Sequence, residues 1–129
     1  SGINSQPDPF NLENNELAEL IAIKTGYSFN SVLMNLYRNG NDKVSWHSDD
    51  EPELGNCINI ASVSLGATRD FRLRQKGQNA SSKETHKITL RHGSLLLMEH
   101  PTQLYWEHEI PKRANIDNQR LNLTFRKFE

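Results

Sequence analysis

The feature that most limits the fold of this chain is a succession of short strand patterns after a single helix pattern. About eight runs have strand-like alternation or apolar content, and turn residues separate them. The segment Asn39–Asp42, with the sequence NGND, predicts a hairpin turn between the first two runs. This many strands in one short domain favours a jelly roll or small barrel over a parallel α/β sheet. The predicted strands cover residues 31–38, 43–49, 58–66, 70–75, 86–91, 94–99, 103–110 and 120–128.

The strand patterns follow a polar segment and one helix. Residues 1–11 contain two prolines and predict an extended lead-in. Residues 12–26 predict a helix with Leu17, Leu20 and Ile21 on its apolar face and Gly26 at its end. A chain of 129 residues has room for a single domain with one core. The apolar fraction of 35% and the abrupt Ser1-Gly2 start lead us to expect a part of a longer chain.

The overall charge and the cysteine content narrow the class of protein. A net charge of −1 is not that of a strong non-specific nucleic-acid binder, so any contact with nucleic acid must be local. The single Cys57 excludes an internal disulfide and fits a reducing, intracellular compartment. No run approaches the length of a membrane span, and no signal-peptide pattern is present.

One local segment is basic enough to contact phosphates. Arg72 and Arg74 alternate with Phe71 and Leu73, so a solvated outer strand face explains the pattern equally well. The cations of this segment are Arg69, Arg72, Arg74 and Lys76.

The segment KVSWHSDDE, at residues 43–51, carries the first candidate metal ligands. Side chains two apart in a strand share a face, so His47 and Asp49 project together, and Val44 and Trp46 take the other face. An imidazole and a carboxylate are two members of the 2-His-1-carboxylate triad, which leaves positions open on Fe(II). A polar strand edge is the alternative interpretation of this pair.

The third ligand must then be another histidine. His86 borders the polar loop, His92 precedes a glycine and His100 precedes a proline, so all three are typical of turns or surfaces. His108 lies within a strand pattern, and a jelly roll can bring that strand against the one that carries His47. We therefore favour His108, although a half-buried strand histidine would give the same pattern.

The last strand pattern, RLNLTFR, has one apolar face and one polar face. The polar face carries Arg120, Asn122, Thr124 and Arg126. Two guanidinium groups on one strand face near a metal would clamp a molecule with two carboxylates, because guanidinium matches carboxylate geometry and stays charged. The alternative is an exposed edge strand that carries charges against aggregation.

These motifs together resemble the AlkB family of Fe(II)- and 2-oxoglutarate-dependent dioxygenases. The RLNLTFR segment corresponds to the family signature Arg-x-Asn-x-x-x-Arg, and the resemblance extends over about residues 25–129. It implies a double-stranded β-helix, a form of jelly roll, with iron held at its mouth. The similar segments, in family order, are NLY, WHSDDE, IASVSLGATRDFRLR, HGSLLLM, HPTQLYWEHEIP and RLNLTFRKF.

The resemblance implies an iron site and a cosubstrate. His47, Asp49 and His108 resemble the iron ligands, and the implied cofactors are Fe(II), 2-oxoglutarate and O₂, with ascorbate helpful in vitro. The ring of His47 resembles one that also stacks against the substrate base.

Further residues resemble those that bind 2-oxoglutarate. Arg120 resembles the arginine that pairs with the distal carboxylate, and Arg126 resembles the arginine near the C1 carboxylate. Asn35 and Tyr37 match the family's Asn-x-Tyr pair, and Asn122 matches the signature asparagine.

The implied reaction is oxidative removal of N-methyl groups from 1-methyladenine and 3-methylcytosine in nucleic acid, with release of formaldehyde. The methyl group lies on the Watson–Crick edge, so the base must be single-stranded or flipped out. We expect single-stranded RNA or DNA as the partner, and a monomeric catalytic domain without membrane contact.

The sequence departs from the family pattern at its N-terminus, where little precedes the helix and no aromatic residue stands out as part of a nucleotide-recognition lid. A trimmed chain or a compact version is expected, such as the AlkB domains of plant RNA virus replication polyproteins. A viral domain would be cytoplasmic and would favour RNA, whereas a cellular protein could be nuclear. Two other classes stay open: a dioxygenase of this fold that acts on protein or a small molecule, and a metal-binding module without turnover.

Overall fold

The fold consists of two antiparallel sheets and two helices. The computed structural model describes residues 4–8, 12–77 and 84–128, with side chains from residue 15 onward. In chain order the elements are β1 (Asn4–Asp8), α1 (Leu12–Thr25), β2 (Ser31–Tyr37), β3 (Val44–His47), a 3₁₀ turn (Pro52–Leu54), β4 (Ile60–Gly66), β5 (Arg69–Gln75), β6 (His86–Leu90), β7 (Leu95–Met98), α2 (Thr102–Tyr105), β8 (Trp106–Ile110) and β9 (Arg120–Arg126).

The larger sheet has the strand order β1-β2-β9-β4-β7, and the smaller sheet has the order β3-β8-β5-β6. Every pair of neighbouring strands in the described part of the chain is antiparallel. The mainly β jelly-roll class predicted from the sequence is confirmed. The predicted lead-in contains the additional strand β1, whereas residues 1–3 and 9–11 lie outside the described part.

Two apolar clusters hold these layers together. Helix α1 packs Ala18 and Ile21 against the outer face of the larger sheet, where Val32 and Phe125 are fully buried. The second cluster lies between the sheets and combines Ile60 and Met98 of the larger sheet with Phe71, Leu90 and Ile110 of the smaller one.

The predicted apolar face of α1 is only partly right. Ile21 is buried and Leu17 packs against the core, but Leu20 is 64% exposed. The core-facing stripe of α1 contains Ala18 together with Leu17 and Ile21, and Leu20 lies outside it.

The predicted hairpin at Asn39–Asp42 is wrong, because β2 and β3 belong to different sheets. The carboxylate of Asp42 accepts hydrogen bonds at 2.9 Å from the backbone N–H, Nε and Nη2 of Arg38. Arg69 Nη2 donates to the carbonyl of Asp42 at 2.9 Å, and Gly40 pairs with the loop before β9 through the carbonyl of Ile116. These contacts turn the segment into a crossover between the sheets.

The predicted strand at residues 103–110 begins late, because residues 102–105 form the single turn of α2.

The basic segment at residues 69–76 is largely engaged within the fold. Arg69 is 1% exposed and binds backbone carbonyls, so its predicted contact with phosphate is wrong. Arg72 pairs with Glu109 at 3.1 Å, and Arg74 pairs with Glu107 at 2.5 Å. Arg72 and Arg74 therefore lie on the outer strand face that we considered as the alternative, whereas Arg69 does not, and contact of this face with phosphate stays a prediction.

Candidate active site

A cavity of about 210 Å³ lies between the two sheets. The larger sheet supplies polar side chains from β2, β4 and β9, and the smaller sheet supplies an apolar wall together with two histidines. The lining residues are Leu33, Asn35, Tyr37, Val44, His47, Asp49, Ser62, Phe71, Leu90, Met98, His108, Ile110, Arg120, Asn122, Thr124 and Arg126. All eight residues that the sequence singled out for the metal and the cosubstrate line this one cavity.

The predicted metal ligands meet at the smaller sheet. Their potential ligand atoms all lie within 4.8 Å of one another. One carboxylate oxygen of Asp49 is 4.0 Å from His47 Nε2, and the other is 3.9 Å from His108 Nε2. The rings of the two histidines are 4.3 Å apart between centroids. The three side chains therefore converge on one point.

Backbone pairing explains the meeting of the two histidines. His47 and His108 are directly opposite Cα partners of β3 and β8. The ladder shifts register between Val44 and His47, as a β-bulge does, and Val44 consequently lines the cavity. The predicted placement of Val44 on the opposite face is wrong for this reason.

Asp49 lies beyond the end of β3, in a loop, whereas the sequence predicted it within the strand. Its backbone N–H donates to Gln103 Oε1 at 2.9 Å. The neighbouring Ser48 hydroxyl donates to the carbonyl of Trp106 at 2.6 Å. These contacts, and not strand pairing, place the carboxylate against the two imidazoles.

The protonation of the two histidines suits metal binding. Burial, with a smaller effect from the charge of His47, lowers the pKa of His108 to about 3, so its imidazole is neutral near pH 7. His47 Nδ1 lies 2.8 Å from the carbonyl of Ser45, and a carbonyl accepts only from N–H. The proton therefore belongs on Nδ1, and Nε2 is the His47 nitrogen that faces Asp49 and is available to a metal when the ring is neutral.

The carboxylate of Asp49 sits in a less favourable environment. Burial raises the pKa of Asp49 above its ordinary value, although the positive charge of His47 acts in the opposite direction. A buried carboxylate of this kind gains from a cation next to it.

The remaining histidines lie outside the cavity lining. His86 is the first residue of β6 and packs edge-on against Trp106, and His92 accepts the N–H of Gly66 at 2.9 Å in the turn after β6. His100 is exposed and precedes a cis proline.

The arginines of β9 are buried in the centre of the larger sheet, so the alternative of an exposed edge strand is wrong. Arg120 is 1% exposed and Arg126 is 6% exposed. Arg120 Nη2 donates to Ser64 at 2.9 Å, and Arg126 Nη1 lies 3.5 Å from a Glu51 carboxylate oxygen.

Both guanidinium groups keep unused donors. Arg120 Nε, Arg120 Nη1 and Arg126 Nε are buried and have no hydrogen-bond partner among the described residues. Buried cations usually have a partner, because an unpaired one costs free energy. The unused donors and the Asp-His-His cluster occupy the same cavity, and this donor set fits a metal-bound dicarboxylate.

Strand β2 places its two predicted residues opposite Asn122 and Arg120 of β9. Asn35 is the Cα partner of Asn122, and Tyr37 is the partner of Arg120. The guanidinium of Arg120 lies over the Tyr37 ring, 4.8 Å from its centroid. Burial raises the pKa of Tyr37, although the charge of Arg120 acts against the increase, so the phenol keeps its proton as a donor.

The sequence interpretation missed the serines of β4. Ser62 donates to Asn122 Oδ1 at 2.6 Å, and Ser64 accepts from Arg120. Two serines at alternate positions of an otherwise apolar strand were a readable signal of a polar face. Gln103, which holds the backbone of Asp49, carried no comparable signal.

The family comparison agrees with this geometry. The model of the family described as the 2OG-Fe(II) oxygenase superfamily matches residues 5–126. The chain belongs to the 2OG-Fe(II) oxygenase superfamily. This membership confirms the predicted class of Fe(II)- and 2-oxoglutarate-dependent dioxygenase, and with it iron, 2-oxoglutarate and O₂ as the cofactors of the family.

Curated relatives place the chain near AlkB proteins within this superfamily. Alpha-ketoglutarate-dependent dioxygenase alkB homolog 3 from Bos taurus is 51% identical over 115 residues, which are 85% of this chain and 40% of that protein. DNA oxidative demethylase ALKBH2 from Bos taurus is 43% identical over 131 residues, or 98% of this chain and 47% of that protein. The resemblance to the AlkB family is confirmed, and the chain spans less than half the length of these two relatives.

A solved structure of OsALKBH1 shares the fold, with a TM-score of 0.59 and 22% identity over 88% of this chain and 59% of that one. In the described part of this oxygenase chain, no helix is long and apolar enough to cross a membrane.

Proposed function

We propose that this chain is the catalytic part of an oxidative demethylase that removes N-methyl groups from nucleic-acid bases. The observation that carries the proposal is one cavity that contains both the His47–Asp49–His108 cluster and the buried, incompletely paired guanidinium groups of Arg120 and Arg126. A metal-binding module without turnover would have no use for a buried dicarboxylate clamp.

The smaller sheet would hold the metal. His47 and His108 each present Nε2, and Asp49 presents both carboxylate oxygens to the same point. Phe71 stacks on His108 at 5.0 Å between ring centroids and so limits rotation of that ring. Iron bound there would supply the oxidation that turns 2-oxoglutarate and O₂ into succinate and CO₂ and hydroxylates an N-methyl group, from which formaldehyde leaves.

The larger sheet would hold 2-oxoglutarate. Arg120 would bind the distal carboxylate through its unused donors, and Tyr37 would keep the guanidinium in place. Arg126 lines the same cavity as Asp49 and would bind the C1 carboxylate. Asn35 and Asn122 are adjacent across the ladder and would complete the polar floor beneath the cosubstrate.

Nucleic acid is the proposed substrate because relatives that are 40–43% identical carry the name DNA oxidative demethylase. We favour 1-methyladenine and 3-methylcytosine in single strands, with RNA at least as good as DNA. The net charge of −1 supports this preference, because few phosphate contacts yield too little binding energy to open a stable duplex. Single strands expose the edge of the base, and stacking can hold them without a strong cationic surface.

The direct test is mass spectrometry of oligonucleotides that contain 1-methyladenine or 3-methylcytosine, after incubation with Fe(II), ascorbate and 2-oxoglutarate. We expect a loss of 14 Da per methyl group, the mass of CH₂, in the parent protein and no loss with His47→Ala. If the oligonucleotides are unchanged while 2-oxoglutarate is still consumed, the substrate is a protein or a small molecule instead of nucleic acid. Unchanged oligonucleotides without such consumption would leave a metal-binding module.

The preference for single strands has its own comparison. The initial rate on one 1-methyladenine oligonucleotide is measured alone and annealed to its complement, at the same salt concentration, for DNA and RNA versions. We expect the single strand to react faster. An equal or faster duplex rate would contradict the preference and would indicate a base-flipping element.

The organisation and location of the protein also belong to the proposal. We propose that residues 1–129 form one catalytic domain of a longer protein and that this domain acts as a monomer in an intracellular, reducing compartment. The relatives described above are cellular proteins, and a viral origin stays a prediction.

A further inference from the structure

Gln103 is a fully buried amide beside the candidate metal site. It is 1% exposed and lies in α2, the single turn that leads directly into β8. Its Oε1 accepts the backbone N–H of Asp49 at 2.9 Å, and its Nε2 lies 3.5 Å from Met98 Sδ. The oxygen must face Asp49 because the backbone N–H can only donate.

Asp49 needs such a contact because it lies outside the strand ladder. Strand β3 ends at His47, so no backbone pairing with β8 fixes the residue that carries the carboxylate. The hydrogen bond to Gln103 constrains the backbone of Asp49 from a position 54 residues away in the sequence.

The two residues next to Asp49, Ser48 and Asp50, are also connected to the segment that contains Gln103 and Trp106. The hydroxyl of Ser48 donates to the carbonyl of Trp106 at 2.6 Å. Lys76 Nζ donates to the carbonyl of Gln103 at 2.7 Å and lies 3.7 Å from the carboxylate of Asp50. The loop that carries Asp49 is therefore fastened to α2 and to the start of β8.

This arrangement connects two candidate ligands, Asp49 and His108, through one continuous piece of chain. Gln103 and His108 are five positions apart on the continuous α2–β8 segment, and His108 is ladder partner to His47. A shift of Gln103 would move the Asp49 carboxylate relative to both imidazoles without removing any ligand.

We propose that Gln103 is a positioning residue that sets the place of the Asp49 carboxylate within the metal site. The proposal rests on the proposed metal-binding role of His47, Asp49 and His108. Gln103 itself touches no metal or cosubstrate; it acts through the backbone of Asp49.

The test compares Gln103→Met, which keeps the volume but loses the amide acceptor, with Gln103→Glu, which keeps an acceptor oxygen. Co(II) is titrated into each metal-free protein without 2-oxoglutarate, and its visible absorption reports affinity and coordination. We expect Gln103→Met to weaken Co(II) binding about 10- to 100-fold, the usual effect of losing a partner behind a ligand. Gln103→Glu should recover most of the affinity, and Leu104→Ala, an exposed change in the same helix, should match the parent.

The melting temperature of each metal-free protein separates positioning from support of the fold. A lower melting temperature of Gln103→Met with parental Co(II) affinity and spectrum would overturn the proposal. If Gln103→Met does not fold, Gln103→Asn replaces it, because this variant keeps an amide but withdraws it from Asp49. Parental Co(II) affinity in Gln103→Asn would likewise overturn the proposal, and weakened affinity would support it.

The parent protein and His47→Ala distinguish this proposal from the proposed function. One outcome is that the parent binds Co(II), His47→Ala does not, and Gln103→Met binds it as tightly as the parent. That outcome would reject the role of Gln103 and would leave the proposed metal site standing. Absence of Co(II) binding in the parent rejects the metal site itself and the role of Gln103 with it.

Discussion

His47 and His108 face each other as direct partners of two antiparallel strands, with their ring planes inclined at 59°. Opposite side chains on one sheet face stand about 4.5–5.5 Å apart at their Cβ atoms. Ladder pairing therefore fixes the separation of these two candidate ligands independently of any metal. We infer that the pair of imidazoles is largely preformed, and that the position of Asp49 is the more adjustable part of the site.

The first prediction concerns His47. Its side chain is 39% exposed, so His47→Ala should leave no buried cavity and should keep the melting temperature of the metal-free protein close to that of the parent. Metal affinity should fall by more than about 100-fold, which exceeds the effect of losing a residue that only positions a metal ligand. Co(II) titration with His100→Ala as the exposed-histidine control makes the measurement. Parental affinity in His47→Ala would remove His47 from the ligand set.

A second prediction follows from the unused donors of Arg120. Burial lowers the pKa of the Arg120 guanidinium, which shows that its charge is poorly solvated where it lies. Arg120→Met should abolish 2-oxoglutarate binding with little loss of stability, because it removes a buried charge that the protein alone leaves incompletely paired.

The measurement for Arg120 is the thermal shift caused by 2-oxoglutarate, under nitrogen with Mn(II) present. A ligand at 100 times its Kd stabilises the parent by about 2.7 kcal/mol. We expect the shift to vanish in Arg120→Met and to persist in Arg91→Met, which changes an exposed arginine. An undiminished shift in Arg120→Met would place the cosubstrate elsewhere.

The third prediction concerns pH and the crossover between the sheets. The hydrogen bonds and charge of Arg38 hold the pKa of Asp42 well below its usual range. Because the folded-state pKa is lower than the unfolded value of about 3.9, the stabilisation is complete above about pH 4 and is lost as pH falls through the folded-state pKa. Asp42→Asn should lower the melting temperature at pH 7, and the difference from the parent should narrow below pH 4.

The control for Asp42 is Asp117→Asn, which changes an exposed aspartate in the loop before β9. It should follow the parent at every pH. A constant difference between Asp42→Asn and the parent down to pH 2.5 would show that charge is not what Asp42 contributes.

A fourth prediction concerns Gly66, which is the ladder partner of Arg120. Gly66 has a φ of +96°, and a Cβ there would lie 2.3 Å from the carbonyl oxygen of Gln119. Gly77 has a φ of +79°, and no atom of the described residues lies within 4 Å of a Cβ placed there, so Gly77→Ala serves as a measure of the cost of the backbone conformation, about 1–2 kcal/mol. Gly66→Ala should lower the free energy of unfolding in urea clearly more than Gly77→Ala does, and it should raise the 2-oxoglutarate concentration needed for half-maximal activity. Equal losses of unfolding free energy in the two variants would show that the close approach at Gly66 is relieved without strain.

The parts of the fold that the sequence predicted well depend on local periodicity. The alternation in β9 placed Arg120 and Arg126 on one face, because a strand repeats every two residues whatever it packs against. The iron and cosubstrate roles came from the family resemblance, since spacing alone favoured a surface strand edge for the pair of His47 and Asp49.

The parts that failed depend on distant contacts. Asn39–Asp42 has the composition of a hairpin turn, but Arg69 donates hydrogen bonds to the carbonyls of Asn39 and Asp42 from 30 and 27 positions away in the sequence. Val44 lines the cavity because of a β-bulge, and no residue type in the sequence predicts that bulge. The local pattern around Gln103 predicts a strand, but Gln103 lies in α2 and its partner Asp49 lies 54 positions away. No local pattern encodes these pairings, so only the folded chain reveals them.

The most direct test of the central claim is the coupling between methyl removal and cosubstrate oxidation at this one cavity. Formaldehyde and succinate are measured together while the protein acts on a single-stranded 1-methyladenine oligonucleotide, with the unmethylated oligonucleotide as the control. We predict equal amounts of the two products in the parent, much less succinate with the unmethylated strand, and neither product with Asp49→Ala. Succinate that forms at the same rate with and without the methyl group, and without formaldehyde, would contradict the account.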